Sequence, residues 1–485
     1  MKSKQLFLRE TGAALLVAMT LVSFSACIDG YKDDWTFSSD VRGVTLESPK
    51  SEEIAFKPSP DGGTLKVEWP VVHGAGGYQF SLYIVDDPEH PKAVGEENEI
   101  VDGCSVERKL IDDTNYKVVI KTMGNSEYNN KDATSSTEAT FTTLIPTYAT
   151  IPEGDIAEWF ANNPIPNDKT DEELAYVLKA NGNYTLSAPI DFGKQKVTFR
   201  GDKLGHANIT YGINGRICTT AGLKIKFIDF DCSAVDGASS TASLLLFSDT
   251  PDENIKGEGD YYIINDPVVI QSCEIKGIQR HLIYDNKKKY CPAILLINDC
   301  LVKLETTQEQ AVIFFNQGFA NDMTVQNSTF WHNGTKNNNY FLQYNNSGRP
   351  TRAGFVKGSV NYLNSTFYHV CYNKQWGSYN GFAGQTCVNW NMKQNIFLES
   401  GKGEVARRFL GGRTGQVTAS FGQNTYWYNG EVPAEELKYD ISGTHFETDP
   451  QLKDPAKGDF TVLGTEQLAA RTGDPRWLPE LPEEE

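Results

Sequence analysis

The chain has 485 residues, 39 % of them hydrophobic, with 8 Trp, which is enough apolar material for two or more sizeable cores. Its 63 acidic against 45 basic side chains give a formal net charge of −18, which argues against nucleic acid as a partner, because phosphate binding needs a cationic surface. Nine cysteines without a Cys-x-x-Cys pair give no zinc or redox motif of that type.

The first residues read as a targeting segment. Lys2, Lys4 and Arg9 precede a short apolar run over residues 13–22, too short to be a good membrane span. The sequence Phe24-Ser25-Ala26-Cys27 that follows resembles a bacterial lipoprotein cleavage box, with Phe24 where Leu is usual. The resemblance implies removal of residues 1–27 up to a lipidated Cys27. The acidic start Asp29-Gly30-Tyr31-Lys32-Asp33-Asp34 resembles the surface-export signal of lipoproteins from glycan-foraging bacteria. Together they imply a lipid-anchored protein on the outer face of an outer membrane, with residues 28–40 as a linker and other glycan-uptake surface proteins as neighbours.

Residues 41–145 are expected to form one β-sandwich. Leu65 to Trp69 and Tyr78 to Val85 alternate in polarity between Gly-rich and Asp-Pro turns. The run from Leu110 to Ile120, with Tyr116 at its centre, resembles the tyrosine corner of fibronectin type III domains, and Trp69 fits their buried tryptophan. A spacer role is the default for such a module.

From Ile151 the pattern changes. Residues 154–162 read as a short amphipathic helix with Ile156, Trp159 and Phe160 on one face, suited to covering the open end of a stack of strands. The remainder repeats. Aligning Cys273, Cys300, Ser328, Ser365, Asn395 and Asn424 gives steps of 27, 28, 37, 30 and 29 residues. One short strand and one polar turn per step indicate a solenoid, whose stacked coils bury faces that no coil could bury alone. Asn327 with Asn364 suggests an asparagine ladder, and Cys273 with Cys300 a cysteine stack. The expected architecture is a right-handed parallel β-helix over residues 150–480. A β-propeller, the alternative, would require four strands per roughly 40 residues. The long step points to an insertion from Gly334 to Gly354 that carries Tyr340, Phe341, Tyr344, Arg349 and Arg352. Near the C-terminus, Phe446, Asp449-Pro450, Asp454-Pro455, Gly458-Asp459-Phe460-Thr461, Ala469-Ala470 and Gly473-Asp474-Pro475-Arg476-Trp477 resemble, in order, the closing segment of pectate-lyase-like β-helix proteins of glycan-utilisation systems.

Residues 323–398 contain no Asp or Glu, where simple proportion gives about ten. They hold Lys336, Arg349, Arg352, Lys357, Lys374 and Lys393, with 14 Asn and 15 aromatic residues. Cations, amides and rings suit a carboxylated sugar chain, so Trp331, Tyr344, Arg349, Tyr372, Trp376, Tyr379 and Trp390 are the candidate ligand-binding residues for an acidic, pectin-like polysaccharide. The competing reading is a repetitive β-structure whose turns favour Asn and whose core favours aromatics. If the chain is instead a polysaccharide lyase, as the resemblance allows, Arg352 with Lys357 or Lys374 is the expected base and carboxylate neutraliser. Asp229, Asp231 and Asp236 are the candidate Ca²⁺ ligands, at a spacing that matches no EF-hand loop. No paired-carboxylate hydrolase motif and no Gly-x-Ser-x-Gly elbow is found. His332 and His369 read as catalytic imidazoles or as polar groups at coil edges, and an adhesin role for the solenoid stays open.

Overall fold

The computed structural model describes residues 41–59, 64–166, 168–346, 348–413 and 417–480. Cys27 lies outside them. The chain divides into two compact units, one ending at Leu144 and the other starting at Ile145.

The first unit is a β-sandwich of the fibronectin III kind. Thr64–Glu68 pairs with Ala55–Pro58 and Ser105–Lys109 in one sheet. Gly77–Ile84 pairs with Asn115–Met123, and that strand with Thr137–Thr142, in the other. Alternation puts Leu65, Val67, Phe80, Leu82, Val118 and Ile120 in the core, with Trp69 stacked on Phe80 at 5.7 Å. The Tyr116 ring is buried, and its hydroxyl accepts the Ile111 backbone N–H at 2.7 Å, five residues upstream. That is the tyrosine corner the sequence predicts.

The second unit is a right-handed parallel β-helix. Each coil contributes a strand to sheets I and II, and seven of them also to sheet III, in three stacked parallel sheets. Sheet I has ten strands, from Thr147–Ile151 to Thr418–Gly422; sheet II has ten, from Gly154–Asp155 to Thr425–Trp427; sheet III has seven, from Pro189–Asp191 to Gly377–Ser378. The register runs Gln271, Asn298, Gln326, Leu363, Lys393, Gly422 across sheet I, so the repeat alignment is the true coil register.

In the six later coils, from Val268–Gln271 onward, two residues join the sheet I strand to its sheet II strand. The first has positive φ: Ser272, Asp299, Asn327, Asn364, Gln394 and Gln423 all lie between 46° and 55°. Short polar side chains tolerate this conformation best. The second residue points inward and is fully buried, and its backbone N–H would be stranded there. The next coil supplies the acceptor. Cys300 N–H donates to Ser328 Oγ at 3.0 Å, Ser328 N–H to Ser365 Oγ at 3.3 Å, Ser365 N–H to Asn395 Oδ1 at 3.1 Å, and Asn395 N–H to Asn424 Oδ1 at 3.1 Å. Outside the turn, Asn364 donates to Asn327 at 3.3 Å and Asn327 to Asn298 at 3.0 Å, the expected asparagine ladder. Cys273 and Cys300 stack at its apolar end, both buried.

The ends are closed by local structure. Helix α1, Ile156–Asn162, is capped by Asp155 and buries Ile156 and Phe160 against Tyr176 and Phe192. At the far end, α2 (Val405–Phe409) and α3 (Ala434–Tyr439) cover the last coils, with Phe409 against Tyr362 and Trp390. The Glu436 carboxylate accepts Val405 N–H at 2.5 Å and Ala406 N–H at 2.6 Å. Burial nevertheless pushes this carboxyl up to about 8. The closing segment then folds back along the outer face of sheet II: Asp474 accepts Thr329 Oγ1–H at 2.7 Å, Trp477 Nε1–H donates to the same hydroxyl at 2.8 Å, and Phe460 packs on Trp331.

The insertion differs from its predicted extent. Phe341 and Tyr344 are buried core of an ordinary coil, and the extra length sits after Leu342–Tyr344, in residues 345–357. The longest excursion is elsewhere: Asp231 pairs with Lys276, a step of 45 residues.

Two outcomes are expected. Asn395→Leu removes the acceptor of Ser365 N–H and should destabilise the solenoid by about 3 kcal/mol in urea unfolding. Glu436 has the higher pKa when folded, so its contribution is largest below pH about 4.5 and falls as pH rises towards about 8. Glu436→Gln should therefore narrow the difference in unfolding free energy between pH 5 and pH 8, values chosen roughly to bracket that window.

Candidate functional site

Alternation along sheet II puts every second side chain outside. On the early coils these form two polar columns along the solenoid: Asn183, Asn208, Asp229, Glu274, and Thr185, Thr210, Asp231, Lys276. Neighbours in a column stand about 4.8 Å apart, the spacing of paired strands. From Thr329 onward the same face lies under the closing segment, which Arg476 fastens by donating to Asp299 Oδ1 at 2.9 Å and to its carbonyl at 3.0 Å.

The uncovered part is a groove made of two adjoining clefts of about 480 and 310 Å³ that share Asp229 and Glu274. The larger has an apolar base of Leu204, Phe227, Cys273 and Leu301, rimmed by Lys203, His206, Asp299 and Arg476. The smaller is lined by Asn183, Asn208, Thr210, Asp231 and Lys276.

At the centre, His206 Nδ1 meets Asp229 Oδ1 at 2.9 Å, and the same oxygen accepts Glu274 N–H at 3.0 Å. The carboxylate is thereby fixed, and it fixes the ring. This hydrogen bond outweighs burial and raises the imidazole above its ordinary value. Burial alone would raise Asp231, but hydrogen bonds from Ser233 and the Lys276 ammonium at 3.3 Å hold its carboxyl below the usual range. Beneath His206, Phe227 occupies the left-handed turn position with φ of 57°, where the six later coils carry polar residues. For a bulky side chain that conformation costs about 1–2 kcal/mol.

Most residues singled out in the sequence lie elsewhere. Tyr344, Trp376, Tyr379 and Trp390 are fully buried in the solenoid core and are not ligand-binding residues; their rings fill the space between the three sheets. Trp331 is half-buried between Lys303 and Phe460, beneath the closing segment. Tyr372 is half-buried, stacked on His369 at 4.9 Å and against Tyr428. Arg349, Arg352 and Lys357 stand in the turn after sheet III, whereas Lys374 stands in the turn before it, paired with Glu309 at 2.8 Å. Arg352 and Lys374 are therefore on opposite ends of sheet III strands, whereas Arg352 and Lys357 share one turn, away from the sheet II face. Asp229, Asp231 and Asp236 are not a joint metal site. Asp229 holds His206, Asp231 holds Lys276, and Asp236 accepts Ala238 N–H in its own turn at 3.0 Å. Among the described residues no group of three or more His, Cys, Asp or Glu is placed to hold a metal ion. His332 is buried on Thr306 at 2.9 Å, and burial lowers it to about 4.

The sequence reading missed His206, Asn208, Glu274, Asp299 and Arg476. Asn208 and Glu274 point outward on early sheet II strands, while His206, Asp299 and Arg476 reach the groove from a loop, a turn and the closing segment, and only the coil register brings them together.

Three domain families match successive parts of the chain, all described only as domains of unknown function: DUF4992 over residues 1–181, DUF4957 over residues 182–333 and DUF5123 over residues 360–477. No curated protein matches the chain. Among solved structures, pectate lyase PelI from Erwinia chrysanthemi is similar at 9 % identity over 70 % of this chain and 91 % of its own, with a TM-score of 0.20. Pectate lyase Pel3 from Pectobacterium carotovorum is similar at 10 % identity over 78 % and 86 %, with a TM-score of 0.14. The structure titled FN3tt mut is 20 % identical over 20 % of this chain and 98 % of its own, with a TM-score of 0.15. The fold assignment stands on the strand pairing itself. No described helix is long and apolar enough to cross a membrane.

Because His206 has the higher pKa when folded, its pair with Asp229 stabilises the fold below pH about 6.5 and that contribution is lost as pH rises through the folded midpoint. An NMR titration of the imidazole should give a midpoint above the ordinary value, and Asp229→Asn should lower it.

Proposed function

We propose that this chain is a lipid-anchored outer-membrane protein that binds a polysaccharide of plant type along the sheet II groove, as one component of a surface system for glycan uptake. The anchor rests on the Phe24 to Cys27 pattern. The binding reading rests on one observation: an elongated, open, polar groove whose amide, hydroxyl and carboxylate groups repeat at the strand spacing over an apolar patch. Such groups meet sugar hydroxyls in series, while apolar side chains meet the C–H faces of the rings.

The lining also bears on the kind of glycan. Asp229, Asp231, Glu274 and Asp299 are acceptors that suit the hydroxyls of a neutral chain and repel uronates, and the bases of residues 323–398 diverge. A neutral glycan, or the neutral side chains of a pectin, is thus favoured over the acidic polymer that the sequence suggested. The lyase alternative loses the pairing of Arg352 with Lys374, which stand at opposite ends of sheet III strands, and keeps only Arg352 with Lys357, in a turn outside the groove.

Affinity electrophoresis of residues 28–485 against galactan, arabinan and polygalacturonate tests this. Retardation is expected in a neutral gel, and Glu274→Ala or Asn208→Ala should weaken it about tenfold, the loss of one good hydrogen bond to a charged or amide group. Retardation by polygalacturonate alone would reverse the ligand class, and absorbance rising at about 235 nm would make the chain a lyase that uses other residues.

A further inference from the structure

Three independent features meet at the Lys203–His206 end of the larger cleft. Leu204 is 64 % exposed and, unlike the other large apolar side chains left in solvent, it lines the larger cleft. Its loop is held in shape by Asp202, whose Oδ1 accepts the backbone N–H of Leu204 at 3.0 Å and of Gly205 at 2.9 Å. The His206 ring has given Nδ1 to Asp229, so Nε2 is the ring nitrogen left to serve the cleft. Phe227 takes a left-handed conformation that six later coils reserve for polar residues, and its ring centroid lies 6.1 Å from that of His206. Phe227 is buried yet lies outside the cluster that forms the solenoid core. Packing of the coils therefore does not call for it, and strain kept against an easy polar alternative belongs with function.

We propose that this end of the groove is a dedicated subsite for one neutral pyranose residue, with Leu204 as the apolar wall for its C–H face and His206 Nε2 as the hydrogen-bonding group for a ring hydroxyl. Asp229 and Phe227 are positioning residues: the first sets the tautomer and tilt of the imidazole, the second packs against it with the ring planes inclined at 52°. The inference rests on the glycan-binding reading and adds to it the place where a terminal or branching sugar is distinguished from the rest of the chain. Lys203, Glu274, Asp299 and Arg476 also face the cleft and set the charge around the imidazole.

The test uses residues 28–485 in galactan and arabinan affinity gels, with Leu204→Ser, His206→Gln, Phe227→Asn and, as a control, Leu463→Ser, whose side chain is 50 % exposed on the closing segment. Leu204→Ser and His206→Gln should each lower affinity at least about tenfold with the melting temperature unchanged, and Leu463→Ser should alter neither. Asn is native to the left-handed position in two later coils, so Phe227→Asn should keep the fold while lowering affinity and changing the His206 titration midpoint. Wild-type retardation that survives both Leu204→Ser and His206→Gln would overturn this subsite and leave groove binding standing. A wild-type chain that neither gel retards would overturn the groove reading and the subsite with it.

Discussion

The β-helix depends on what happens to one backbone N–H per coil. The two-residue turn between sheets I and II turns its second residue inward, away from water, and leaves that N–H without a partner in its own coil. An unpaired buried donor is worth about 1–3 kcal/mol of destabilisation, and the turn recurs in the six later coils. At Cys300, Ser328, Ser365 and Asn395 the structure meets the demand with a side-chain oxygen from the next coil, so each of these coils is completed by its successor. Ser328, Ser365, Asn395 and Asn424 are fixed by this requirement as firmly as the apolar residues are fixed by the core.

The same stacking accounts for the acid-free stretch. Like positions recur about 4.8 Å apart, so a carboxylate in one coil faces whatever the next coil places there. A column of carboxylates repels itself, whereas amides and hydroxyls bond along it. Asn391 donates to Asn361 at 2.6 Å and Asn361 to Thr324 at 2.9 Å on the outer face of sheet I. Asn327, Asn364, Asn373 and Asn380 take left-handed turns. The aromatics fill the widest part of the core, where Phe330, Phe367, Phe397 and Tyr426 stack in one line. Residues 323–398 thus owe much of their amide and aromatic content to ladder and core positions, and that content is the composition of a ladder and not of a binding surface.

Regularity also decides what was legible beforehand. The inward residues of the later coils repeat in type and spacing, so the strand register, the asparagine ladder and the cap at Ile156–Asn162 could be read from sequence. Tyr116 gave away the sandwich because its corner is local, five residues from its partner. The groove is neither local nor repetitive. Asp299 and Arg476 are 177 residues apart in sequence, and His206 and Asp229 are 23 apart across a coil boundary. Asp229 and Asp231 drew notice as an alternating acidic pair, but alternation shows only that both face outward. Whether they face a metal, a lysine or a sugar is set by the neighbouring coils.

The placement of the groove follows from the closing segment. Sheet II presents an outer face along its whole length, and any exposed stretch of it would serve as a platform. The closing segment covers the later coils, where Ile396 and Leu398 lie with Val462, Leu468 and Trp477 and so bury apolar surface that the sheet would otherwise leave wet. It stops at Asp299 because from there towards the N-terminus the outer columns turn polar, with Glu274, Asp229 and Asn208 offering it nothing to pack against. At the other end, Asp155 accepts Thr185 Oγ1–H and Ser187 N–H, both at 3.0 Å, and closes the columns. The open length is therefore three to four strand spacings, about 14–19 Å, which limits the groove to a short run of a polymer and not a long one. A platform of that length selects by the detail of a few sugars, and the side chains able to supply that detail are gathered where its base turns apolar, around Leu204, His206 and Phe227.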